Sequence, residues 1–217
     1  SADANPQKLF EGVKFRLAIF FVSNNHEGCY SSKYTRWLAE ERKNLFYSVI
    51  AYNEIGDYKY PNIVGKVASP LWVNIYKKVL KDKESFKDLG EYFCLYNDAP
   101  INWMRSHSFI PYFCSDRDGE IISRHLKKMK FASKRDAKCG SAVINSSLFF
   151  IWWITHSSCY NLNSSELFSF KYSLTDLEIN DMVKLNDKLE KDMLANSRRR
   201  VYVYRTTGRV EYDEFYM

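Results

Sequence analysis

The sequence is short of the features that mark most enzyme sites. Its eight glycines are scattered, with no two close together. A phosphate-cradling loop needs clustered glycines to let the backbone approach the anion, so neither a P-loop nor a dinucleotide-binding fingerprint is present. The five cysteines, Cys29, Cys94, Cys114, Cys139 and Cys159, are odd in number and form no CxxC pair. That argues against a disulfide framework or a zinc ribbon and for free thiols in a reducing compartment. His26, His107, His125 and His156 show no HExxH or HxH spacing, so no metal site is expected. No GxSxG elbow presents a serine nucleophile. The longest unbroken apolar run is Leu148-Phe149-Phe150-Ile151-Trp152-Trp153-Ile154, far below the roughly 20 residues a membrane-spanning helix needs. With no basic-then-apolar pattern at the start of the sequence, a cytoplasmic protein without a membrane partner is expected.

What is there points to a folded, basic protein. The 217 residues are 46% hydrophobic and 17% aromatic, ample for a core in one domain or one and a half, and outside the composition of disordered chains. The net charge is +6, and it is not evenly spread. Residues 124–138 hold seven basic side chains, Arg124, Lys127, Lys128, Lys130, Lys134, Arg135 and Lys138, against the single acid Asp136. This window contains the whole excess, and the remainder sums to about zero. Such concentration fits a polyanionic partner, although a solvated loop or helix face carries charge in the same way.

Patterning divides the chain into dissimilar parts. Residues 14–22 alternate and then become continuously apolar, as a strand entering a buried sheet does. A turn at 23–28 leads to a possible second strand over 29–34. A helix capped by Ser32 or Thr35 should then run to about Tyr52, and 53–68, with Gly56, Pro61 and Gly65, reads as a linker. Ser69-Pro70 predicts the start of a helix ending near Lys83. The middle, 89–138, reads as a β-rich module with short strands at 91–96 and 109–113. Residues 141–155 predict a buried helix. The most secure helix begins at Ser173 and runs to about Asn196, with Thr175 and Glu178 as a capping box and Leu174 and Ile179 at staple spacing. Its expected inner stripe is Ile179, Met182, Leu185, Leu189 and Met193. Residues 201–212 read as a hairpin. The expected class is α+β.

Few catalytic patterns remain. Glu41-Arg42-Lys43 fits half of a carboxylate-lysine nuclease motif, but it falls within a predicted helix and no proline in the chain is followed by aspartate. Apart from it there is a basic segment flanked by aromatic-rich strands. Arginine and lysine neutralise phosphates, and aromatics can stack on bases, although core packing accounts for most of Phe149, Phe150, Trp152 and Trp153.

Several segments carry a family resemblance. Gly12-Val13-Lys14-Phe15-Arg16-Leu17-Ala18-Ile19-Phe20, Tyr30-Ser31-Ser32-Lys33-Tyr34-Thr35-Arg36-Trp37, Glu41-Arg42 and Leu45-Phe46 resemble the region beyond the catalytic motif of bacterial adenine-N6 DNA methyltransferases. These belong to type II restriction-modification systems, some with fused nuclease domains. Ile144-Asn145-Ser146-Ser147-Leu148-Phe149-Phe150-Ile151-Trp152-Trp153 resembles a segment of their target-recognition regions. Arg199-Arg200-Val201-Tyr202-Val203-Tyr204-Arg205-Thr206-Thr207-Gly208-Arg209-Val210-Glu211-Tyr212-Asp213-Glu214-Phe215-Tyr216 resembles their C-terminal tail. The family's catalytic Asn/Asp-Pro-Pro-Tyr/Phe loop is missing: the only Asn-Pro, Asn5-Pro6, is followed by Gln7.

The resemblance therefore implies a recognition portion with no catalytic residues and no cofactor of its own. S-adenosylmethionine would bind an upstream catalytic domain of the same polypeptide, and double-stranded DNA would be the partner. It implies 1–60 as the edge of the methyltransferase domain with the end of its sheet, 61–197 as a β-rich recognition domain with a long helix, and 198–217 as a hairpin arm. On this reading Arg124, Lys127, Lys128, Lys130, Lys134, Arg135 and Lys138 contact phosphates. Arg105 and Arg117, in turns, are candidates for base edges, since arginine pairs bidentately with guanine; for Arg117 a local salt bridge to Asp116 or Asp118 competes. The alternatives are a protein-interaction domain docking an acidic partner and a small nuclease.

Overall fold

A computed structural model describes residues 21–25, 30–32, 44, 52–54, 85–100, 103–157 and 160–215. The helices expected over 35–52 and 70–83 lie outside these residues. So does the strand expected over 14–22, apart from Phe21 and Val22, which are exposed and in no strand. Two short strands, β1 (Tyr30–Ser32) and β2 (Tyr52–Glu54), pair antiparallel. The first falls where a second strand was expected; the second lies at the end of the predicted helix and the start of the predicted linker.

The described residues are α+β and, besides the β1-β2 pair, form two larger antiparallel sheets. The first has the order β4-β3-β7, with β3 (Tyr92–Asn97) in the centre, β4 (Ser106–His107) on one side and β7 (Leu126–Phe131) on the other. Alternation along a strand sends neighbouring side chains to opposite faces. Cys94 and Tyr96 of β3 therefore share an inner face with Met129 and Phe131 of β7, while Phe93 and Leu95 share the other with Lys130 and Lys128.

Helix α1 (Lys134–Ile144) packs on the inner face. Ser133 caps it, its Oγ accepting the Asp136 N–H at 3.1 Å. Gly140 is what allows the close approach, because a Cβ there would strike the Phe131 ring. Helix α2 (Ser147–His156) is apolar along most of its length and is buried through Phe149, Trp152 and Trp153. Phe149 meets Phe170 edge-on at 5.1 Å and Phe86 at 6.2 Å, so the core is largely aromatic.

The single helix expected over 141–155 is two helices. Asn145 caps the first and Ser146 the second, the Ser146 Oγ accepting the Phe149 N–H at 3.2 Å. Ser146 bonds local backbone on both sides, donating its Oγ–H to the Val143 carbonyl at 2.6 Å, and such local bonding favours a break. Asn145 also finishes the sheet. Its Oδ1 accepts the Ser106 N–H at 2.9 Å and its Nδ2 donates to the Ser106 carbonyl at 2.9 Å, so one amide takes the place of a strand beside β4.

After the short helix α3 (Ser164–Ser169), helix α4 (Asp176–Ala195) lies against α1. The Thr175–Glu178 capping box forms as expected, and its hydrogen bonds from Thr175 hold the Glu178 carboxyl below its ordinary pKa. The inner stripe differs from expectation at one position: Leu185 is 61% exposed, and Asn186 and Glu190 are buried instead. The buried face follows residues 179, 182, 183, 186, 190 and 193, a regular helical spacing that includes two polar residues.

The second sheet has the order β6-β5-β9-β8. It comprises β5 (Phe113–Ser115), β6 (Gly119–Glu120), β8 (Arg198–Tyr204) and β9 (Gly208–Glu214). The predicted strand over 109–113 is confined to this later position, 113–115. The C-terminal hairpin is present, and β9 pairs with β5, tying it to the middle of the chain. At its turn Gly208 has φ +71°, and a Cβ there would meet the Asp116 carboxylate. That carboxylate accepts the Arg209 N–H at 2.7 Å. Glu190 of α4 accepts the Ser108 N–H and Oγ–H just after β4 at 2.5 and 2.7 Å, and the two sheets approach where the His107 and Phe215 rings lie 5.5 Å apart.

Candidate nucleic-acid interface

Eight of the nine basic residues expected at a DNA surface are separated by the fold into three groups, and Lys134, in the first turn of α1, stands apart from them. Arg105, Arg117, Arg124 and Lys127 gather at one end of the three-stranded sheet. The loops that bring them there leave β3, join β5 to β6, and enter β7. Arg105 lies opposite Asn97, whose N–H donates to the Arg105 carbonyl at 2.9 Å. Asn97 in turn pairs with Leu126, so Arg105 and the start of β7 stand about 10 Å apart across two strand spacings.

Two carboxylates organise this end. Asp118 accepts Arg124 Nη2 at 3.1 Å and lies 3.9 Å from Arg117 Nε. Asp98 lies 3.4 Å from both Lys127 Nζ and His125 Nδ1. Lys127 Nζ also donates to the Arg124 carbonyl at 2.8 Å, joining the two clusters. The cations remain half or more exposed, with side-chain exposures of 64% for Arg117, 68% for Arg124 and 50% for Lys127. The carboxylates thus hold the basic side chains in place without burying them, which lowers the conformational entropy lost when they meet a ligand. Arg117 does form the local ion pair weighed from sequence, but it shares that partner with Arg124.

The second group is Lys128 and Lys130, on the outer face of β7. They leave the strand two residues apart, about 7 Å along it, and Lys128 Nζ lies 4.6 Å above the Phe93 ring. Among the described residues Arg105, Lys130 and Lys134 are exposed and join no ion pair.

The third group, Arg135 and Lys138, turns along the surface toward α4. Arg135 donates from Nη2 to the Asp176 carboxylate and carbonyl, each at 2.9 Å, and from Nε to the Asn180 Oδ1 at 3.0 Å. Lys138 Nζ lies 2.5 Å from Asp187 Oδ1. Both residues fasten α1 to α4, with side chains that stay 41% and 23% exposed.

Other residues beside the first group carry no motif in the sequence. His125 stands at the tip of the loop into β7. Trp103 is 39% exposed, is stacked on Phe150 at 4.6 Å, and donates its Nε1–H to the Asn145 carbonyl at 3.2 Å. Its ring is fixed at the rim while one side stays open. Asp98 and the pairing of Asp118 with Arg124 could not be assigned from sequence, because they depend on which loops meet.

His107 shows the opposite environment. Burial, with a smaller effect from the Arg105 charge, pushes its pKa down to about 4, and its Nδ1 has no hydrogen-bond partner. It is a neutral packing histidine. Burial likewise pushes the Cys94 thiol up to about 12 and the Cys139 thiol up to about 11, so neither is a nucleophile near neutrality. Among the described residues no group of three His, Cys, Asp or Glu side chains could hold a metal ion, and no helix is long and apolar enough to cross a membrane. Glu41 and Lys43 lie outside the described residues. No protein-family model, no curated protein and no solved structure matches the chain.

Proposed function

We propose that this chain is a DNA-recognition module, the target-reading portion of an adenine-N6 DNA methyltransferase whose catalytic and S-adenosylmethionine-binding parts lie elsewhere in the polypeptide. The observation that carries the reading is the linked cluster of Arg117, Arg124, Lys127 and His125 on Asp118 and Asp98 at one end of the sheet, with Arg105 beside it. Exposed cations set by carboxylates on neighbouring loops suit a phosphate backbone, which needs several positive charges in fixed positions. Lys128 and Lys130 extend the basic surface along β7. The segment resemblances described above supply the specific family.

Methylating a base inside a duplex requires flipping it out, at an expense of a few kcal/mol. A separate reading module offsets this through contacts made elsewhere on the duplex. Arg105 and Arg117 are the candidates for base-edge contacts, and Arg124, Lys127, Lys128 and Lys130 for phosphates. Titrating the chain with labelled duplex DNA by fluorescence anisotropy, over roughly 50–200 mM salt, tests the proposal. The expected result is binding that weakens steeply with salt and falls about tenfold with Arg124→Ala/Lys127→Ala. Absence of binding at the lowest salt overturns it. Capture of an acidic protein that survives nuclease treatment, without duplex binding, would favour a docking domain instead.

A further inference from the structure

We propose that the edge of β8 is a self-association surface, on which two copies of this chain pair antiparallel about a two-fold axis at Val201. The proposal does not depend on DNA binding. β8 is the last strand of its sheet, and all seven of its residues are exposed. Val201, Tyr202, Val203 and Tyr204 are strong strand formers exposed on both faces of the edge, the valines on one and the tyrosines on the other, with Val203 81% exposed. A long, exposed, apolar edge strand is a template for another strand, and natural sheets usually block it with proline, a bulge or a covering element. β8 contains no proline or glycine, and among the described residues its only strand neighbour is β9.

The order of residues within β8 selects the occupant. In a two-fold antiparallel pair, opposed residues share a face, so the axis falls on a residue rather than between two. With the axis at Val201 all seven residues pair. Arg198 then faces Tyr204 of the second copy, Arg199 faces Val203, Arg200 faces Tyr202, and the two Val201 side chains meet at the centre. No arginine opposes another. Moving the axis to Arg200 places that residue against itself, and moving it to Tyr202 places Arg199 against Arg205. Like charges directly opposite destabilise a strand pair, and an axis at Val203 pairs only three residues of β8, so charge and paired length together favour the axis at Val201.

The favoured pairs are also chemically matched, since arginine stacks well on tyrosine. The same sheet already contains such a contact, with the Arg199 guanidinium 3.5 Å above the Tyr112 ring. Tyr202 is held nearly parallel to Tyr212 at 6.0 Å, so its ring is already oriented. Pairing would join two four-stranded sheets into one of eight strands.

Sedimentation velocity of the full 217-residue chain, from about 5 to 200 µM, tests this. A concentration-dependent dimer is expected, with Val201→Lys weakening association about tenfold or more by placing like charges on the axis. In that variant the new lysine faces Glu211 across the hairpin, so the hairpin itself is retained, as near-ultraviolet dichroism of its tyrosines would verify. Leu177→Lys, on an exposed part of α4, should leave association unchanged. A second variant, Val201→Cys, should cross-link to itself on mild oxidation well above the level set by the native cysteines. A chain that stays monomeric throughout the range, an unaffected dimer in Val201→Lys, or no cross-link in Val201→Cys overturns the proposal. Arg124→Ala/Lys127→Ala should dimerise normally, so failure here and failure of DNA binding are separable.

Discussion

The two halves of the basic segment sit a few residues apart in sequence and behave differently in space. Arg124 and Lys127 are held at their carboxylates yet remain open to solvent, and Lys128 and Lys130 stand on an outer sheet face. Arg135 and Lys138, one turn of helix later, close onto α4. Net charge in a window measures how many cations are present; the partner each meets decides whether the charge is offered outward. The difference arises where β7 ends and α1 begins. The strand projects alternate side chains away from the core, while the helix carries two of its cations to the flank where α4 packs.

The strongest way to break this contrast is to loosen the core on which both halves rest. Phe149→Ala should destabilise the chain by about 3–5 kcal/mol, because it empties the centre of the aromatic cluster. Urea unfolding would measure this, and DNA binding should fall only with the folded fraction. Next comes acid. The pKa of His107 is depressed in the folded state, so its contribution is fully present above its unfolded value, near 6.5, and is lost as pH falls toward about 4. The wild type should lose up to about 3 kcal/mol over that range relative to His107→Leu, whose pH dependence should be flatter. Equal pH profiles for the two would remove His107 as the cause.

Two paired substitutions then sharpen the contrast directly. Arg124→Ala/Lys127→Ala should lower duplex affinity about tenfold at low salt and flatten the salt dependence by about two phosphate contacts, with the melting temperature nearly unchanged. Arg135→Ala/Lys138→Ala should do the reverse, lowering stability by about 1 kcal/mol, as partly exposed ion pairs do, while the salt dependence stays as in the wild type. If the second pair altered DNA binding as strongly as the first, the division of the segment would fail.

Much of the fold was legible where the signal is local. The capping box of α4, the staple residue Leu174 against the core, the short β3 strand and the C-terminal hairpin all follow from neighbouring residues. Errors arose where a distant partner decides. Leu185 looks internal because it is apolar, but on α4 it points outward while Asn186 and Glu190 are buried, the latter receiving the Ser108 N–H. The long apolar run suggested one helix, and the break at Asn145 depends on β4, 39 residues away. The basic window itself was visible, but its division was not, because Asp176 and Asp187 lie more than a helix away in sequence.

Asn145 has a consequence of another kind. The same side chain ends a helix and closes a sheet, so the length of α1 and the position of β4 are set by one residue. Lengthening α1 by a single residue would turn the amide about 100° around the helix axis and uncover the outer edge of β4. The loop before β4, with Trp103 and Arg105, hangs from that edge. Insertions in this protein should therefore be tolerated beyond Asn145 or in the turns of the second sheet, while α1 keeps a fixed count of residues, like a tooth that must stay in mesh.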